Sequence, residues 1–225
     1  MVSVAMDVPL GTGAYTVNEL ACFARMHVVT ARRWFSGNSM GKSIMPGENP
    51  KRYLTFLDFV QALAVRNLRV NHHVGLPTIR EALQYAKAEF GLEYPFARKH
   101  RTFLDGKQII IRPEGQPAPV QASGRAKGQH VMKPILETYL LDTSFDPETG
   151  LARHYLAYQF KESRVVMDPH VQFGQPYVES AGISARRLAD AVQEEGGFDA
   201  AAAAFGIEID DVIAAHRFID ELQVA

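Results

Sequence analysis

The feature that most constrains this 225-residue chain is a change in hydrophobic period along its length. Up to about Gly91, apolar residues recur at the three-and-four spacing of helices, and the segments open on Ser/Thr-type caps. From Thr102 the pattern becomes β-branched and strand-like, and from Ser184 it returns to the helical period. A chain of this kind is expected to be mainly α with a small β portion, an α+β fold with its sheet in the middle of the sequence.

The first fourteen residues contain Pro9, Gly11 and Gly13 and no sustained period, which predicts a loose arm. Thr16-Val17-Asn18-Glu19 reads as a capping box: the Thr16 hydroxyl can accept the Glu19 backbone N–H while the Glu19 carboxylate reaches back to the cap. A short helix to about Ala24 follows. After a break at Arg25-Met26-His27, a second helix runs from Val28 to Phe35, with Val28 and Ala31 inward and Thr30, Arg32 and Arg33 towards the outside or the rim. That is the spacing of a helix-turn-helix. Residues 36–50, rich in Gly, Ser, Asn and Pro, cannot form a regular element and close on Lys51-Arg52-Tyr53. Two cations and an aromatic ending such a loop fit a wing lying along a phosphate backbone. Thr55 then caps a helix to about Val70, and Thr78-Ile79-Arg80-Glu81 predicts a second capping box, opening a helix that Gly91 closes.

In the middle of the chain, Leu104-Asp105-Gly106-Lys107 followed by Gln108-Ile109-Ile110-Ile111 predicts a hairpin. Residues 113–130 read as a linker or exposed loop, residues 131–141 as a helix or a strand, and 152–160 and 164–167 as strands of a small sheet. The remainder predicts three helices: one capped by Ser184, a short alanine-rich one capped by Asp199, and a last one opened by Asp210. The expected division is a flexible arm (1–14), a winged-helix unit (15–99), a β-containing linking region (100–163) and a C-terminal helical unit (164–225).

Charge separates the two ends. Residues 1–112 hold 15 Lys and Arg against 8 Asp and Glu, a net +7, whereas residues 113–225 hold 9 against 17, a net -8. A basic half is the footprint of a phosphate-binding surface, and an acidic half either avoids DNA or faces a basic partner; both are equally compatible with plain solvated surface. No apolar run approaches the roughly 18 residues of a spanning helix, and the first residues lack the basic-then-apolar order of a secretory signal, so a cytoplasmic protein without membrane contact is expected. The single cysteine, Cys22, lies among Leu20, Ala21 and Phe23, which favours a small core thiol over a reactive one.

The order Tyr15-Thr16-Val17-x-Glu19-Leu20-Ala21, Thr30-Ala31-Arg32-Arg33-Trp34, Arg52-Tyr53 and Gly75-Leu76-Pro77-Thr78-Ile79-Arg80-Glu81 resembles the MerR-type winged-helix DNA-binding domain over about residues 15–90. The resemblance implies that Thr30 and Arg32 approach DNA from the recognition helix, that Trp34 takes the place of the family's usual tyrosine, and that Arg52 is the wing arginine. It departs from the family at His27, which replaces the usual serine cap, in its longer wing loop, and in lacking a cysteine-bearing effector segment. Further on, Asp168-Pro169, Gly174-Gln175-Pro176, Gly182-Ile183-Ser184 and Ala203-Ala204-Phe205-Gly206 before Asp211-Val212-Ile213 resemble a small three-helix domain of unknown function found in bacterial proteins regarded as antitoxins. A chain with this head and tail is similar to the VapB-type antitoxins, whose partner toxins carry a PIN-like ribonuclease fold. The resemblance implies a homodimer on an inverted-repeat operator.

Chemistry of other kinds finds little support. Adjacent His72 and His73 on one helix point about a hundred degrees apart, which favours a solvated helix end over a zinc site with His27 and Cys22. Asp142 to Glu148 lacks the central glycine and acid alternation of a calcium loop. No nucleophile elbow, phosphate-binding glycine loop or histidine-glutamate metalloprotease motif occurs. The sequence therefore predicts a non-enzyme with no cofactor, metal site or catalytic residue. Thr30, Arg32, Arg33, Lys51, Arg52 and Tyr53 are the expected DNA contacts; two arginines on a helix can be mere surface charge, but their placement after a capped first helix favours phosphate or guanine contact. Glu194, Glu195, Asp210, Asp211, Asp220 and Glu221 are the expected partner contacts, on the premise that they are exposed at helix ends. The leading functional expectation is a DNA-binding antitoxin of a type II toxin-antitoxin system that represses its own operon and neutralises a PIN-like ribonuclease. The alternative is a MerR-like transcriptional regulator with a C-terminal effector-sensing region; a third is an adaptor with no DNA target.

Overall fold

The computed structural model describes residues 11–36, 44, 53–99, 102–112, 119–125, 127–130 and 142–224. The expected arm, the wing residues Lys51 and Arg52, and the ambiguous segment 131–141 fall outside them, apart from residues 11–14 of the arm. Helices and strands are mixed as an α+β fold requires: seven α-helices and eight strands among the described residues.

The N-terminal helices are α1 (Val17–Phe23), α2 (Val28–Ser36), α3 (Phe56–Val70) and α4 (Leu76–Phe90). The Thr16 and Glu19 groups exchange both bonds of the capping box at the head of α1, and Thr55 forms a second one with Asp58 at the head of α3. These reciprocal bonds satisfy N–H groups that a helix cannot pair internally. The expected box at Thr78 does not form. α4 begins earlier, at Leu76, with Gly75 as its cap and Pro77 in the first turn, because proline's fixed φ and missing N–H suit a helix start. Glu81 is thereby released: its carboxylate accepts the Gly124 backbone N–H at 3.1 Å and meets Lys127 Nζ at 3.0 Å, which holds its pKa below the usual carboxylate value.

The hairpin at Asp105-Gly106 forms, pairing β1 (Thr102–Asp105) with β2 (Gln108–Ile111); β3 (Val120–Gln121) adds to β2 in an antiparallel sheet. A second antiparallel sheet follows in the order β4 (Thr143–Phe145), β5 (Ala152–Phe160), β6 (Ser163–Met167), β7 (Tyr177–Val178) and β8 (Ile183–Ser184). Strands β7 and β8 have only two residues each, too few for the period-two pattern by which a strand is read in sequence. Helices α5 (Ala185–Glu194), α6 (Phe198–Phe205) and α7 (Ile209–Val224) close the chain. Asp199 and Asp210 lie inside the first turns of α6 and α7 rather than preceding them, and Gly197 is the cap residue of α6.

The core is continuous from head to middle. Tyr15, Trp34, Phe56, Phe59, Leu68, Phe96 and Ile109 share one buried cluster with Ala152 and Met167 of the second sheet. A second cluster joins Val165 and Val178 to Leu188, Phe218 and Leu222, and Cys22 and Phe23 of α1 pack against it. Strand β5 serves both: Tyr155 lies edge-on to Phe59, with ring centroids 5.4 Å apart, and Tyr158 meets Phe218 at 6.4 Å.

Candidate nucleic-acid interface

Helices α1 and α2 are joined by Ala24–His27 and pack against each other. The turn is shaped by Arg25, which takes a left-handed φ of 50°. His27 caps the start of α2: its Nδ1 accepts the Val29 backbone N–H at 3.2 Å, and its carbonyl accepts those of Thr30 and Ala31. The inner side of α2 is Ala31, Trp34 and Phe35, all buried. Trp34 is thus a core anchor, and its carbonyl accepts the Ile44 N–H at 2.9 Å.

The outer side carries charge. Arg32 and Arg33 are exposed, and Thr30 is half-buried at the rim. The Arg32 guanidinium donates to Asn18 Oδ1 of α1 at 3.3 Å, so the partner helix holds it in place. Tyr53 is half-buried beside Leu54, whose N–H and C=O pair with those of Tyr15. The first helix is itself fixed from the far end of the chain. The Ala14 N–H is donated to the Phe173 carbonyl at 2.9 Å, the Tyr15 hydroxyl to the Gly174 carbonyl at 2.7 Å, and the Gln175 amide to Glu19 Oε1 at 3.3 Å. Gln172, Phe173 and Gly174 all have positive φ, and a Cβ at Gly174 would collide with the Tyr15 hydroxyl. The role of Gly174-Gln175 as a seat for α1 escaped the sequence reading, since nothing in either segment names the other.

The acidic candidates divide. Glu194 pairs with Arg187 on its own helix, Asp210 with Lys161 at 2.7 Å, and Asp220 faces His216 one turn away. Glu221 meets Arg25 at 2.6 Å, a bond between α7 and the turn before α2. Glu195 is exposed. Asp211 corrects the premise of exposure: it is 5% exposed and accepts the Ser180 hydroxyl at 2.7 Å, because the first turn of α7 lies against the segment that follows β7.

Among the described residues no group of three or more His, Cys, Asp or Glu side chains is placed to hold a metal ion, and no helix is long and apolar enough to cross a membrane. Cys22 is half-buried against the second cluster, and burial pushes its thiol pKa up.

No family model matches the chain. It is 25% identical over 227 residues to a Mycobacterium tuberculosis protein named "Putative antitoxin VapB45", an alignment covering 92% of each chain. The similarity to this relative therefore extends over nearly the whole length. Its fold is similar to that of the crystal structure of Rv2018 from Mycobacterium tuberculosis, with a TM-score of 0.60, 20% identity, and coverage of 92% of this chain and 99% of the other.

Proposed function

We propose that this chain is the antitoxin of a toxin-antitoxin pair that docks α2 in the major groove of its own operator and holds a PIN-like ribonuclease through its acidic C-terminal part. The observation that carries the DNA half is the outward face of α2, where Arg32 and Arg33 stand exposed while Trp34 and Phe35 anchor the other side. A short helix braced by a partner helix, with cations on its free face, has the geometry by which second helices of such pairs meet base edges. Lys51, Arg52 and Tyr53 are the contacts we assign to the phosphate backbone. The protein half rests on the likeness to the mycobacterial relative over 92% of the chain and on the negative balance of residues 113–225. A ribonuclease attracts a polyanion, so an acidic surface both steers to it and covers its entrance. Glu195, exposed just beyond the end of α5, is the strongest of the acidic contacts, and Asp211 has a structural role instead. We further propose that the protein acts as a homodimer on an inverted repeat.

The test is co-expression of the full chain with the product of the adjacent gene. The expected outcome is co-purification of a small ribonuclease and retention of the upstream intergenic duplex by the chain; failure to retain that duplex removes the DNA half, and recovery of the chain alone removes the antitoxin half. One observation favours a second reading, a regulator that senses an effector. A cleft of about 530 Å³ opens between the helical head and the second sheet, lined among others by Phe56, Tyr94, Leu151, Arg153 and His170.

A further inference from the structure

The outward face of α2 holds a residue that the charge pattern does not reveal. Val29, Arg32, Arg33 and Ser36 are all exposed and follow one another at three, four and seven residues, which aligns them on one side of the helix. Val29 is 44% exposed, one of three large apolar side chains so exposed among the described residues. It contributes little to folding, because the packed side of α2 is complete with Ala31, Trp34 and Phe35. It is also a poor choice for helix formation at an exposed site, where Ala, Glu or Lys is better. Its position is fixed: His27 Nδ1 holds its N–H, and one turn later Asn18 holds the guanidinium of Arg32.

We propose that Val29 reads sequence, its methyl groups meeting the 5-methyl group of a thymine in the major groove; this rests on the DNA-binding reading above. The thymine methyl is the apolar feature among the base edges of that groove, and residues near the start of a recognition helix are the ones that reach base edges. The arginines on the same face take guanine or phosphate. Side chains at i and i+3 or i+4 lie about 5–6 Å apart at Cβ, and successive base pairs rise about 3.4 Å. The thymine met by Val29 is therefore one or two base pairs from a guanine met by Arg32 or Arg33.

The experiment uses the full chain, a random-sequence duplex pool and Val29→Ala, a change that keeps the helix because the site is exposed and alanine favours it. The natural protein is expected to retain a common sequence with a thymine one or two base pairs from a guanine. Replacing that thymine by uracil, which removes only the methyl group, is expected to weaken its binding about fourfold, the worth of one buried methyl group. Val29→Ala is expected to bind the thymine and uracil duplexes equally. If the natural protein does not distinguish the two duplexes, or if Val29→Ala distinguishes them as well as the natural protein does, Val29 does not read the methyl group while DNA binding stands. If no sequence is retained, the DNA-binding reading and this inference fall together.

Discussion

Tyr15 joins the two ends of the chain through one phenol. It is 1% exposed, its backbone pairs with Leu54, and its hydroxyl donates to the carbonyl of Gly174, a residue at φ 85° that no larger side chain could replace without striking it. Burial raises the phenol pKa far above its ordinary value, with Glu19 and Asp168 adding to the rise. Because the folded-state pKa exceeds the unfolded one of about 10, the stabilisation is complete below pH 10 and is lost as pH rises above it, where only the unfolded chain releases the proton. Tyr155 and Tyr177 are raised by burial as well and add to the same slope. We therefore expect unfolding free energy to fall between pH 10 and 11, with Tyr15 supplying up to about 1.4 kcal/mol per pH unit. In Tyr15→Phe the fall should be shallower by that share. Urea denaturation at both pH values measures it, and equal slopes in the two proteins would mean that the phenol ionises as readily in the folded state.

Helix α2 is short, and its nine residues would not hold a helix in isolation. Packing of Trp34 and Phe35, with α1 behind it, supplies the stability and leaves its free face to the arginines. If Arg32 and Arg33 neutralise phosphates, the slope of log affinity against log salt should lessen by roughly 0.9 for each one removed. The double change Arg32→Ala, Arg33→Ala should therefore flatten that slope by as much as about 1.8 on any retained duplex, with the melting temperature unchanged because both side chains are exposed. A slope that does not respond would place these arginines away from the phosphates. On the C-terminal helices the charges are more engaged than their sequence implies: Glu194, Asp210 and Glu221 all have cations within the chain. Exposed pairs of this kind contribute at most about 1 kcal/mol, so a basic partner could exchange them at low cost.

At the scale of the whole molecule, head and tail share their cores. Met167 and Ala152 lie in the head's buried cluster, and Phe23 touches both clusters. A fragment ending at residue 99 keeps α1 to α4 but loses the Gly174 seat, the Tyr155 ring against Phe59 and the Arg25–Glu221 pair. It is expected to unfold at lower urea than the full chain and with a broader transition, followed by circular dichroism at 222 nm. An equal midpoint would mark residues 11–99 as an independent domain and these contacts as incidental.

The sequence by itself determined whatever depends on near neighbours. Capping boxes, helical periods, the Asp105-Gly106 turn and the β-branched runs are local, so α1 to α3, the first hairpin, β5, β6 and the Ser184 cap were all legible there. The charge split and the two arginines of α2 were legible for the same reason. Competition and distance were not. Thr78 lost its box to a proline-led start at Gly75, and Asp211 is buried by a serine 31 residues away. Which face of α2 is free, and therefore that Val29 stands among its arginines, depends on what covers the other face. The seat of Tyr15 on Gly174 spans 159 residues, and such a contact leaves no periodic trace because it is fixed by the packing of the two cores rather than by either segment's own preference.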